Sequence, residues 1–127
     1  LKLRFLMLVI ALLLTLFACQ GQETINFQGK SDNWEVVYQV DIQSEDSESK
    51  SLEIRYIGEG KSPKEMDYTL DSVSGGGDGN DIPLNDGVYK SSPNSCSGCA
   101  VTGEDDKIKV TIDWQGKSEK ITLSNQR

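Results

Sequence analysis

Histidine is absent from the 127-residue chain. Its absence removes the commonest general base and the usual catalytic triads. It also starves any zinc site, because only three cysteines are present and structural zinc takes four ligands. Positive charge is scarce: 13 Lys and Arg stand against 20 Asp and Glu, a formal charge of −7. No basic stripe is available to grip nucleic acid. Carboxylate pairs could in principle cleave glycosides, but acidic side chains on a small domain read first as a solvated face. Beyond Cys19 no window repeats apolar residues with a helical period, so no glycine-rich loop opens a helix and cradles phosphate. The expected class of function is therefore non-enzymatic.

Long apolar runs are also missing, with one exception. Lys2 and Arg4 precede an uncharged stretch from Phe5 to Ala18. It is shorter than the roughly 20 residues that cross a bilayer, and a basic start, an apolar middle and a small residue before a break describe a secretory signal. The break, "LFAC" from Leu16 to Cys19, resembles the lipobox of bacterial lipoproteins. That resemblance implies diacylation of Cys19, which becomes the new N-terminus, with Phe17 bulkier than is usual there. Acyl chains gain about 0.8 kcal/mol per buried methylene, so two or three of them anchor a protein without a spanning helix. Leu1 fits a leucine-type start codon read literally, a habit of low-GC Gram-positive bacteria. The expected layout is signal peptide 1–18, lipidated tether 19–23 and one domain over 24–127. Losing Lys2 and Arg4 takes the formal charge to about −9. Such a surface is repelled by anionic headgroups, so the lipid must do the holding.

Within the domain, period-2 alternation dominates. Trp34, Val36, Tyr38, Val40 and Ile42 share one face, as do Leu52, Ile54 and Tyr56, then Ile108, Val110, Ile112 and Trp114, then Ile121 and Leu123. Such alternation marks strands with one buried and one wet face. Strands are expected over 24–29, 33–43, 50–58, 65–72, 86–90, 107–114 and 118–124. The polar run 43–51 reads as an exposed hairpin loop, and Gly116 as a positive-φ turn residue. About seven short strands in one domain point to an all-β, immunoglobulin-like antiparallel sandwich, with a small closed barrel as the alternative.

Two motifs invite chemistry. "GGDGNDIPL", residues 76–84, matches the nonapeptide of calcium-binding repeats at Gly76, Gly77, Gly79 and Asp81. Calcium takes six to eight oxygens, and a single repeat supplies only part of that shell. Asp78, Asp81 and Asp86 are the candidate ligands, and the competing reading is a flexible link between strands. "CSGC" places Cys96 and Cys99 in a tight loop. With Cys19 committed to lipid these two pair off, and an extracytoplasmic compartment permits the disulfide. A redox role is the alternative, although no helix follows to lower a thiol pKa.

The opening "F-x-G-x-S-x-N-W", here Phe27, Gly29, Ser31, Asn33 and Trp34, and the late "CSGCAVTGEDDKIKVTIDWQGKSEKITL" resemble small uncharacterised lipoproteins of bacilli and their relatives. The resemblance implies an extracytoplasmic, lipid-anchored β-domain and no catalytic residues. The expected function is a non-enzymatic interaction or accessory module of the cell envelope, with an unknown protein or envelope partner. Its alternatives are a calcium-binding module using 75–86 and a thiol–disulfide protein. Replacing Cys19 with Ala is expected to abolish metabolic labelling by palmitate and release the protein from the membrane fraction. A Cys19→Ala protein that stayed anchored would contradict lipidation.

Overall fold

The computed structural model describes residues 1–16, 22–73 and 75–126. Helix α1, Lys2–Leu16, carries the apolar run, and its large side chains from Leu1 to Leu13 are exposed. Among the described residues no helix is long and apolar enough to cross a membrane. Phe17, Ala18 and the expected lipidation residue Cys19 lie outside the described residues.

Nine strands follow: β1 Glu23–Lys30, β2 Trp34–Ser44, β3 Ser47–Tyr56, β4 Glu65–Asp71, β5 Gly77–Pro83, β6 Val88–Lys90, β7 Asn94–Ser97, β8 Ile108–Trp114 and β9 Lys117–Asn125. All pair antiparallel in the order β5-β4-β8-β9-β1-β2-β3-β6, with β7 also on β3. The sheet curls nearly into a barrel around one core, to which Phe27, Trp34, Val36 and Ile54 contribute from one half and Met66, Ile108, Ile112 and Leu123 from the other. The all-β expectation holds, and the alternating residues are the buried ones: β8 reads buried–exposed almost without a break.

Among the described residues the strand count rises from the expected seven to nine. Residues 77–83, expected as a flexible link, form β5 against β4, with an irregularity between Met66 and Tyr68. Glycine, Asp and Asn hide this strand because it has only one hydrogen-bonded neighbour and no buried alternation to display. Residues 94–97, also unassigned, pair with Ser47–Lys50 as β7. The expected loop 43–51 shrinks to a turn at Glu45 and Asp46, and strand pairing runs through its polar flanks. At the β8–β9 turn, Gln115 and Gly116 adopt φ of 47° and 76°, the two-residue hairpin expected there.

Strand pairing joins the two halves at β1 and β9. Among the described residues Phe27 pairs with Asn125 and Gln28 with Ser124, and the Gln126 N–H donates to the Asn26 carbonyl at 3.0 Å. Next to them a Cβ on Gly29 would lie 2.6 Å from the Thr122 carbonyl oxygen, so any side chain there would push β9 away. Beyond Gly29 the β1–β2 turn reaches Glu119 on β9. Ser31 Oγ donates to Oε1, Asn33 N–H donates to the same oxygen at 3.1 Å, and Asn33 Nδ2 donates to Oε2 at 2.6 Å. Phe27 and Trp34, fully buried, complete the motif. Its five residues thus build the joint between the halves.

Partial desolvation pulls the Glu119 carboxyl upward, but the hydrogen bonds from Ser31 and Asn33 outweigh it and hold the pKa below the usual glutamate value. A lowered folded pKa stabilises the fold above the unfolded value, and that contribution disappears as pH falls through the folded value. Glu119→Gln is therefore expected to lose about 1 kcal/mol at neutral pH, a modest figure because the group is partly open to water. The urea-unfolding curves of variant and parent should converge below the ordinary glutamate range. A constant difference across acid pH would rule the latch out.

Candidate tyrosine-lined site at the mouth of the sheet

The curl does not close. β6 is three residues long, β5 is irregular, and no strand pair joins them. Across this gap Tyr68 of β4 and Tyr89 of β6 bring their rings to 5.9 Å, tilted by 35°. Tyr68 lies opposite Ile112 on β8, and Tyr89 opposite Ile54 on β3. On β5, a Cβ at Gly79 would lie 2.6 Å from Tyr68 Cε1 and 2.9 Å from Ile82, so the glycine makes room for the ring. Gly79 is one position of the calcium-like spacing.

Between these strands opens a groove of about 380 Å³. Tyr38, Leu52 and Leu70, nearly buried members of the core, reach it from below the two outer tyrosines, and Gly75–Gly77 with Ser91, Ser92 and Asn94 contribute its polar rim. Ser91 is held in place by backbone and side chain together: its N–H donates to the Leu52 carbonyl at 2.9 Å and its Oγ accepts from the Leu52 N–H at 2.9 Å. Among the described lining residues Lys50 is the one charged side chain, and none is a carboxylate. In so acidic a chain that lining stands apart from the second groove, of about 430 Å³, where Glu65, Asp67, Asp81 and Asp113 gather around Trp114 and Lys117. There Asp67 and Asp113 face each other directly, a repulsive cross-strand pair that water must screen.

Two phenols of the mouth are raised above the ordinary tyrosine value. Burial pushes Tyr38 up to about 12, with the Glu48 charge adding to the shift and a Ser72 hydrogen bond opposing it. Tyr68 is likewise pushed up to about 12, first by burial, then by Tyr89 through charge and hydrogen bonding, then by Asp78. Both remain hydrogen-bonding O–H groups at any physiological pH.

The residues singled out by sequence fall elsewhere. Asp78, on β5 opposite Thr69, is exposed. Asp81, at φ 52°, donates its N–H to Asp67 Oδ1 at 2.7 Å. Asp86, at φ 51°, turns the chain into β6. Among the described residues no three His, Cys, Asp or Glu side chains are placed to hold a metal ion. Cys96 and Cys99 are bonded through their sulfurs, with Cα atoms 6.2 Å apart. The Cys99 N–H donates to the Asp46 carbonyl at 3.0 Å, tying this loop to the β2–β3 turn. Beside it Glu48, fully buried, accepts from the Thr102 N–H at 3.0 Å and the Thr102 hydroxyl at 3.2 Å.

Sequence reasoning missed the mouth because Tyr68 and Tyr89 stand on strands that never pair with each other. Met66, Tyr68 and Leu70 do alternate, which marks Tyr68 as inward-facing, but nothing local says that its inward space stays open. In an alkaline ultraviolet titration, some of the four tyrosines should resist ionisation until about pH 12, and Tyr68→Phe should remove part of that late step. Full ionisation near pH 10 would refute the described burial. Comparison with protein-family models, with curated proteins and with solved structures finds no match, so the assignment of function rests on the site's own geometry.

Proposed function

We propose that this chain is a lipid-anchored, extracytoplasmic, non-enzymatic interaction module of the cell envelope, held at the outer face of the membrane through Cys19. The observation that carries the reading is the closeness of anchor and domain: β1 begins at Glu23, four residues after the lipobox cysteine. A tether of that length keeps the domain beside the bilayer, and its negative surface keeps it from lying down on anionic lipid. The mouth groove supplies a contact site, and it offers neutral hydroxyl, amide and aromatic groups rather than a nucleophile paired with a base. An immunoglobulin-like sandwich is our finer reading of the fold, supported by the way β1–β3 and the β4–β8–β9 group present inner faces to one core.

A photo-reactive amino acid in place of Ser92, on the rim, tests the assignment in intact cells. The expected outcome is one recurrent crosslinked envelope component that is lost when Cys19→Ala displaces the protein. Repeated irradiation that yields no specific adduct would sink the interaction-module reading.

A further inference from the structure

The mouth groove has a chemical character that narrows its ligand. A cation finds no carboxylate among the described lining residues. A nucleotide or polyanion meets one lysine against a strongly negative chain, which is a poor basis for phosphate binding. Strand addition by a peptide needs a long regular edge. β6 offers three residues, and β5 is a Gly- and Asp-rich edge that ends in Pro83. A flat heteroaromatic ring would want a slot between two aromatic faces, yet the Tyr68 and Tyr89 ring centroids lie 5.9 Å apart, too close to admit a third ring between them. What they present is a joined aromatic platform, edged by the serines, Asn94 and the glycine lip.

A pyranose ring matches that arrangement. It has an apolar C–H face that packs on aromatic carbon and an equator of hydroxyls that exchange hydrogen bonds with neutral donors and acceptors. A volume of about 380 Å³ is at the small end of ligand sites and suits one or two sugar rings. From this geometry, and resting on the interaction-module reading above, we propose that the mouth groove is a saccharide-binding site in which Tyr68 and Tyr89 form the stacking platform and Asn94, Ser91 and Ser92 the hydrogen-bonding rim. The expected ligand is an uncharged sugar ring of an envelope glycan, engaged by the rim of a domain held near the membrane.

Calorimetric titration of the full chain in detergent micelles with chitobiose and with cellobiose tests this. At least one of the two probes should bind saturably, with a dissociation constant of about 1 mM or tighter. Tyr89→Ala should weaken binding about fivefold to tenfold. Asn94→Ala, a surface change that leaves the core alone, should weaken it too, which guards against a Tyr89 variant that fails to fold. Asp113→Ala, in the acidic groove, should leave it unchanged. No heat with either disaccharide, or binding that Asp113→Ala abolishes while Tyr89→Ala spares it, would overturn the proposal. So would preferential binding of indole or adenosine. A specific protein adduct from the Ser92 crosslinker, obtained alongside a failed sugar titration, would remove the saccharide assignment and leave the interaction-module reading standing.

Discussion

The close approach of β1 to β9 is the constraint on which the rest of the molecule depends. Two hairpin systems, β1–β2–β3 and β8–β9 with β4 and β5, have to bury their inner faces against each other. Among the described residues they pair along the backbone at Phe27 with Asn125 and Gln28 with Ser124, extended by the Gln126 N–H donating to the Asn26 carbonyl, so the joint is short. It holds because Gly29 lets the Thr122 carbonyl come within a distance that no Cβ would tolerate, and because Glu119 gathers three hydrogen bonds from the turn just beyond. Under the joint, Trp34 meets Tyr56 and Trp114 edge to face, at 5.2 and 5.4 Å. Its indole nitrogen is buried without a hydrogen-bond partner among the described residues.

A second anchor works at the opposite end of the sheet. Glu48 is a charged residue with no exposed surface, which is costly unless its oxygens are engaged. Thr102 engages both of them and so pins the segment after the disulfide onto β3. The same segment is tied to Asp46 through Cys99 and to β3 through β7. The CSGC loop therefore sits in a structural brace, and its bridge reinforces contacts that hydrogen bonds have already begun.

The mouth follows from these two fixed ends. A sheet joined at β9–β1 and braced at β3–β7 curls around its core, but its free edges are a three-residue strand and a glycine-rich one, too poor to pair. The gap is filled partway by tyrosines, which tolerate such a position because one end is apolar and the other wet. Burial pushes the Tyr38 and Tyr68 phenols up to about 12. A binding surface of this kind is a by-product of incomplete closure, stabilised by side chains that are at home on a boundary.

Much of this was legible locally. Alternation placed four of the strands and twelve of the sixteen residues of the described core, because burying one face of a strand writes period 2 into the sequence, while Ile25, Phe27, Met66 and Leu70 were not singled out by it. Absence of histidine narrowed the expected chemistry through composition alone, whereas the expected location came from the order of a basic–apolar–Cys stretch and its resemblance to a lipobox. β5, β7 and the polar flanks of the 43–51 turn were hidden, as hydrogen-bonded edges need no apolar face and a buried Glu48 looks like any exposed glutamate until Thr102 is beside it. Gly29, Ser31 and Asn33 were visible as a motif, but their purpose appears only when Glu119, 86 residues away from Asn33, arrives on β9. Likewise the closeness of Gly79 to the Tyr68 ring appears only in the fold. Sequence determined which faces are apolar; only the tertiary structure decided which distant strands meet, because long-range pairing leaves no periodic trace in either partner.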